Sequence, residues 1–240
     1  MVASNITLTL VGGPTALIEI GSLRLLTDPT FDPPRFYQKG PVRYEKISGP
    51  ALSMEEIGVV DAVLLSHDQH FDNLDDAGRA VIPTAGTTYT TKAGAARLGG
   101  NAVGLAPLPA RHGPIGIEPI SGDVIGFLLG VNEPGDAIYI TGDTVWYDGT
   151  AEIARRFSPK VVMLFTGAAE TRGRFRMTMG SNDALEAANA FPGAAIVAVH
   201  NEGWTHLKES AAELAASFAT LGVASRLTSL ERAKPTRFEL

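Results

Sequence analysis

Three apolar runs in this 240-residue chain stop at a side chain able to bind a metal: Ala62-Val-Leu-Leu-Ser-His67, Ala137-Ile-Tyr-Ile-Thr-Gly-Asp143 and Ala195-Ile-Val-Ala-Val-His200. Ligand sites in layered α/β proteins gather beyond the carboxyl ends of strands, where loops converge on one rim. Adding His70, Asp72 and His112 gives four imidazoles and two carboxylates at strand ends or in loops. Such donors suit zinc, manganese or iron, and a site with fewer than four protein ligands keeps water on the ion. The chain has no cysteine, which excludes disulfides, iron–sulfur clusters, thiolate zinc sites and cysteine nucleophiles. The fifth histidine, His206, falls six residues after His200, near the start of the last long helical pattern. It reads equally as a structural residue or as a contact to substrate or to a ligand, and stands outside the ligand set.

The elements that must position these groups follow from periodicity. Residues 6–11, 15–20 and 23–27 read as an antiparallel meander with glycine turns. Residues 28–50, with Pro29, Pro33, Pro34 and Pro41, read as an irregular loop. Strands are expected at 62–66, 161–165 and 194–199, with 106–110 leading into Arg111-His112. A hairpin over 124–131 and 137–141 turns at Glu133-Pro134-Gly135. Leu207, Ala211, Leu214, Phe218 and Leu221 mark one helix face, stopped by Gly222. Asp183 with Glu186 suggests an acidic capping box for a helix through Ala190, and 92–98 and 151–157 are shorter helices. Strands first, then strands alternating with helices, predict a mixed α/β architecture in a single domain over 1–240.

Lys and Arg number 20 against 26 Asp and Glu, a net charge of −6, the wrong sign for a general nucleic-acid or anionic-membrane binder. No apolar run approaches the ~20 residues of a membrane span, and the first residues lack a secretory pattern, so a cytoplasmic protein with a small-molecule substrate and no membrane insertion is expected. A homo-oligomer is compatible with this. Gly-x-Ser-x-Gly, the P-loop, Gly-x-Gly-x-x-Gly and His-Glu-x-x-His are all absent.

The order of these pieces resembles the metallo-β-lactamase-fold hydrolases, especially the branch of ascorbate-phosphate lactonases and phospholipase-like members. The landmarks are Gly13-Pro-Thr-Ala-Leu-Ile-Glu-Ile-Gly21, Leu25-Leu-Thr-Asp-Pro29, Leu64-Leu-Ser-His-Asp-Gln-His-Phe-Asp-Asn-Leu-Asp75, Pro109-Ala-Arg-His-Gly113, Ile140-Thr-Gly-Asp-Thr144 and Val197-Ala-Val-His-Asn-Glu-Gly-Trp204. The resemblance implies an αββα four-layer sandwich of two mixed β-sheets flanked by helices. It departs at the family's His-x-His-x-Asp-His. Read without a gap, Gln69, Phe71 and Asp72 take the second histidine, the aspartate and the last histidine. With one inserted residue, His70 and Asp72 fall on the second histidine and the aspartate, and only Asn73 replaces a ligand. The second alignment is preferred.

The resemblance then implies His67, His70 and His112 on a first divalent ion and Asp72, Asp143 and His200 on a second, with Asp143 bridging. One or two ions are expected, zinc or manganese ahead of iron. A divalent ion lowers the pKa of bound water to roughly 7 and polarises the scissile bond. The resulting metal-bound hydroxide would cleave an ester, lactone or phosphodiester bond, with Asp72 orienting it or carrying its proton. Asp28 reads as a carboxylate that fixes a loop near the site. Trp146, Tyr147 and Trp204 read as pocket lining or rim packing, and Arg111, Arg172, Arg174 and Arg176 as a basic cluster, either a solvated face or, near the metals, a partner for an anionic substrate. Two alternatives share the fold: a degenerate member that binds without turnover, and an iron-dependent redox member.

Overall fold

A computed structural model describes residues 5–240; the first four, part of the leader reading, lie outside the described residues. In chain order the elements are β1 (Asn5–Gly12), β2 (Thr15–Ile20), β3 (Leu23–Thr27), β4 (Arg35–Lys39), β5 (Val42–Lys46), α1 (Met54–Ile57), β6 (Ala62–Leu64), α2 (Asp76–Val81), β7 (Thr87–Thr91), α3 (Lys92–Leu98) and β8 (Ala102–Leu105). There follow α4 (Glu118–Ser121), β9 (Phe127–Leu129), β10 (Ile138–Ile140), α5 (Asp148–Arg156), β11 (Val161–Phe165), α6 (Ser181–Ala190), β12 (Ala195–Val199), α7 (Ala211–Thr220), β13 (Leu227–Thr228) and β14 (Pro235–Glu239).

Seven strands form one sheet in the order β14-β1-β2-β3-β6-β7-β8, and five form a second in the order β13-β12-β11-β10-β9. The period-2 geometry of strands explains how the layers stack. Along β11, Val161, Met163 and Phe165 enter the core between the sheets, where they meet Ile6, Leu8 and Ile18. Val162 and Leu164, on the opposite face, pack against Ala184, Ala187, Leu214 and Phe218 of α6 and α7. Leu17, Leu26 and Val63 on the outside of the first sheet meet Ile57 and Val81 of α1 and α2. Helix, sheet, sheet, helix is the expected αββα sandwich. Among the described residues no helix is long and apolar enough to cross a membrane.

The parallel strands matter most for the site. β3, β6, β7 and β8 run parallel in one sheet, and β10, β11 and β12 in the other. Their carboxyl ends deliver the His67, Asp143 and His200 loops to one edge.

Three local readings are corrected. The 28–50 segment is not wholly irregular: β4 and β5 pair across a Gly40-Pro41 turn, with Tyr37 opposite Tyr44. The prolines sit before the hairpin and in its turn, where a missing N–H costs nothing, and Tyr37, Val42, Tyr44 and Lys46 are buried on one face. Residues 106–110 lead from β8, which ends at Leu105, into Arg111-His112 as expected. Asp183 is not the cap of α6 but its third residue, accepting from Gly180 N at 3.3 Å. Leu207 lies outside α7, which starts after Ser210; that hydroxyl accepts from Glu213 N and the Glu213 carboxylate accepts from Ser210 N, a true capping box. The chain end, unread in the sequence, returns to pair β14 with β1.

Candidate metal centre

His67 is oriented by a relay that begins at Asp28. Ser66 donates its backbone N–H (3.0 Å) and its hydroxyl (2.6 Å) to Asp28 Oδ1. With its proton spent there, Ser66 Oγ accepts from His67 Nδ1 at 2.9 Å. His67 therefore turns a bare Nε2 lone pair inward. His112 arrives at the same state differently, donating Nδ1–H to the Met177 carbonyl at 2.8 Å. Both lone pairs face one atom, His70 Nδ1, at 2.8 and 3.2 Å. His70 has at most one proton there to give.

One carboxylate oxygen completes this group: His67, His70, His112 and Asp143 each offer a donor atom within 4.8 Å of the others. Burial, reinforced by the neighbouring imidazoles, holds His67 and His70 well below the usual histidine range, so both rings are neutral. A second group of Asp72, Asp143 and His200 meets the same 4.8 Å limit. Asp143 divides its oxygens, Oδ2 lying 3.6 Å from His112 Nε2 and Oδ1 3.8 Å from His200 Nε2. Asp72 Oδ2 is 3.3 Å from His200 Nε2. Burial acts against charge on both partners but loses. Asp143 and Asp72 push His200 up to about 9, and His206 and His200 hold Asp72 well below the usual carboxylate range.

The backbone is bent to make this possible. His200 has φ +59°, a conformation rare for a side-chain-bearing residue and concentrated at functional sites. Gly142, with φ +60°, precedes Asp143 where a Cβ would stand 2.6 Å from the Ile125 carbonyl oxygen.

The buried acceptors without hydrogen-bond partners include Asp72 Oδ1 and Asp143 Oδ2. A buried acceptor left without a partner costs about 1–3 kcal/mol. Lone pairs and carboxylate oxygens that converge without enough protons between them fit a divalent cation, and the donor set is the nitrogen and oxygen mixture of zinc, manganese or iron sites.

The six sequence-predicted residues are thus brought together, in the two groups the resemblance implies. The inserted alignment agrees with the geometry, since His70 and not Gln69 meets His67. Phe71 turns away to stack on Tyr37 at 4.6 Å. Asn73 points Nδ2 at Asp143 Oδ1, 3.3 Å away, where the family pattern has an imidazole. Trp204 is buried with Tyr37, Val42 and Tyr44. Trp146 packs against the α6–α7 side of the second sheet, and Tyr147 lies under the Arg111 guanidinium at 4.5 Å. His206, outside the expected ligand set, places Nε2 2.8 Å from Asp72 Oδ2. Its spacing from His200 was the only sequence signal, because the partner is 134 residues away.

The family described as a beta-lactamase superfamily domain matches residues 78–201. The chain belongs to this family. The matched stretch carries His112, Asp143 and His200, and the His67–Asn73 segment lies just before it. Within the superfamily, the chain is 24% identical over 232 residues to UPF0173 protein YddR of Bacillus subtilis (strain 168), covering 86% of this chain and 90% of that one. It is similar to the crystal structure of an isothiocyanate hydrolase from Delia radicum gut bacteria, with TM-score 0.85 and 25% identity over 98% of this chain and 100% of that one. A metallo hydrolase from the archaeon Ignicoccus hospitalis shares the fold, with TM-score 0.74 and 17% identity over 99% and 100% of the two chains.

Proposed function

We propose that this superfamily member is a metal-dependent hydrolase that cleaves an ester, lactone or phosphodiester bond of a small molecule. The observation that carries the reading is the convergence of His67 Nε2, His112 Nε2 and His70 Nδ1 beside Asp143, with the ring protons of His67 and His112 both committed elsewhere. His67, His70, His112 and Asp143 would hold one ion, and Asp143, Asp72 and His200 a second. Bound there, a divalent ion supplies an acidified water and a Lewis acid for the scissile bond.

The chain's own groups do the rest. Asp72 Oδ1 is buried and unpartnered, an acceptor for the proton of the attacking water. His112 also borders a cavity of about 320 Å³ whose wall includes Lys92, Leu105, Arg111, Val124 and Ile125. That volume is at the small end of ligand pockets and suits a substrate of modest size. Arg111 and Lys92 give it two cations for an anionic group. Asn73 favours an unequal pair of positions, the one at Asp72 holding its ion more weakly.

The test is a substrate panel. Protein reconstituted with zinc or manganese is offered a nitrophenyl ester, a lactone, a bis-nitrophenyl phosphate and, because a similar structure is an isothiocyanate hydrolase, an isothiocyanate. Metal-dependent turnover of one of the first three supports the proposal. Turnover of the isothiocyanate alone keeps the hydrolase and replaces the bond class. A metal-loaded protein inert to all four points to binding without turnover, and oxygen-dependent turnover with iron points to redox chemistry.

A further inference from the structure

His206 belongs to neither donor group, yet it is as buried as their members, at 7% exposure. Its ring stands edge-on to Tyr44, with centroids 5.4 Å apart, and 5.9 Å from Trp204. The main chain around it is pinned from two sides. Glu170 N donates to the His206 carbonyl at 3.0 Å, and Thr205 N donates to the Glu45 carbonyl at 3.1 Å. The ring is therefore held, and it is held against Asp72.

Its protonation pattern follows from its surroundings. Nδ1 is buried without a partner, so a proton there would be an unsatisfied donor, whereas a proton on Nε2 finds Asp72 Oδ2 at 2.8 Å. Asp72 needs such a partner. The residue that follows it, Asn73, directs its amide to Asp143 and Asp28. His200 reaches the same Oδ2 only at 3.3 Å. His206 thus takes up Oδ2 of Asp72, while Oδ1 is buried without a hydrogen-bond partner.

We propose that His206 is a positioning residue that donates Nε2–H to Asp72 Oδ2, fixing the Asp72 carboxylate at the second metal position and offsetting the loss of a ligand at Asn73. This rests on the metal reading of the site. Histidine–carboxylate contacts of this kind, one step removed from a metal, change its affinity by about 10- to 100-fold when removed.

The experiment titrates chelator-stripped protein with manganese by calorimetry, for the wild type, His206→Ala and His206→Gln, with circular dichroism confirming the fold. The Gln amide N–H reaches close to where Nε2–H stood but is a poor ligand. The expected result is two binding steps in the wild type. In His206→Ala the weaker step loses about 10-fold or more while the stronger is unchanged, and in His206→Gln most of the weaker step returns. Should His206→Ala fail to fold, a near-normal weaker step in His206→Gln still supports the inference. A weaker step lost equally in both variants makes His206 a ligand and overturns it, as does a weaker step unaffected by either. A wild type that binds no manganese overturns the metal reading itself, a result distinguishable from the other two.

Discussion

Replacing Ser66 with alanine tests how the first group of histidines acquires its lone pairs. Ser66 is fully buried, and its hydroxyl joins Asp28 Oδ1 at 2.6 Å to His67 Nδ1 at 2.9 Å. Without it, His67 has two options. It can keep the proton on Nδ1, now a buried donor without an acceptor, at about 1–3 kcal/mol. Otherwise it moves the proton to Nε2, which points an N–H at His70 and ends the convergence of lone pairs. The first route carries its penalty with and without an ion and costs stability, not affinity. The second is cheaper for the metal-free protein but takes about 1–3 kcal/mol from cation binding, because the proton must return to Nδ1. At 1.4 kcal/mol per tenfold this is a loss of about 5-fold to about 150-fold. The stability of the metal-free fold should fall by only about 1 kcal/mol, because Asp28 keeps the Ser66 backbone N–H at 3.0 Å. Calorimetric titration with zinc, beside urea unfolding of the stripped protein, separates the two effects. Affinity within twofold of wild type, with stability lowered as expected, would refute the tautomer argument.

Lys46→Met should destabilise the protein by about 3 kcal/mol in urea unfolding. The Lys46–Asp75 pair is buried at 2.8 Å, and stranding one partner of such a pair costs about 3–5 kcal/mol. The low end is expected since Asp75 retains backbone N–H groups from Phe31, Asp32 and Gly78 at 2.9, 2.8 and 2.8 Å. Gly78→Ala should cost about 3 kcal/mol or more and show as a collapse of soluble yield or Tm, because the new Cβ would stand 1.9 Å from the Pro29 carbonyl oxygen. For acid behaviour the informative residue is Asp136, far from the histidines. Burial pushes its carboxyl up, but N–H groups of Val131, Glu133 and Asn132 at 2.7, 3.0 and 3.1 Å hold it below the usual carboxylate range. A depressed folded pKa contributes stability in full above the unfolded value near 3.9, and that stability is lost as pH falls through the folded value. Asp136→Asn should therefore be less stable at pH 7 and lose less than the wild type between pH 4 and pH 2; parallel loss in both would contradict the assignment.

The sequence was legible where the physics is local. Runs such as Val161–Phe165 are buried on both faces and announce themselves as strands, and the polar residue that ends each run at the parallel rim stands out against apolar neighbours. Zero cysteine and five histidines narrowed the donors before any geometry was known. What stayed hidden depends on distant partners. The β4–β5 hairpin was obscured by prolines that mark its edges, although Tyr37 and Tyr44 carry its buried face. Leu207 has helical spacing but sits before the Ser210 cap, packed beside Tyr37, Tyr44 and Trp204. Nothing in the segment around residue 206 announces Asp72, and nothing around Ser66 announces that its hydroxyl proton goes to Asp28, 38 residues earlier.

The central claim is that four histidines and two aspartates hold a divalent ion, and elemental analysis tests it most directly. Protein prepared without chelator or a nickel column should carry about one or two equivalents of zinc, manganese or iron. His112→Ala and Asp143→Ala, each folded by circular dichroism, should lose most of it. A wild type that stays metal-free after reconstitution, or full retention of metal in both variants, would contradict the account.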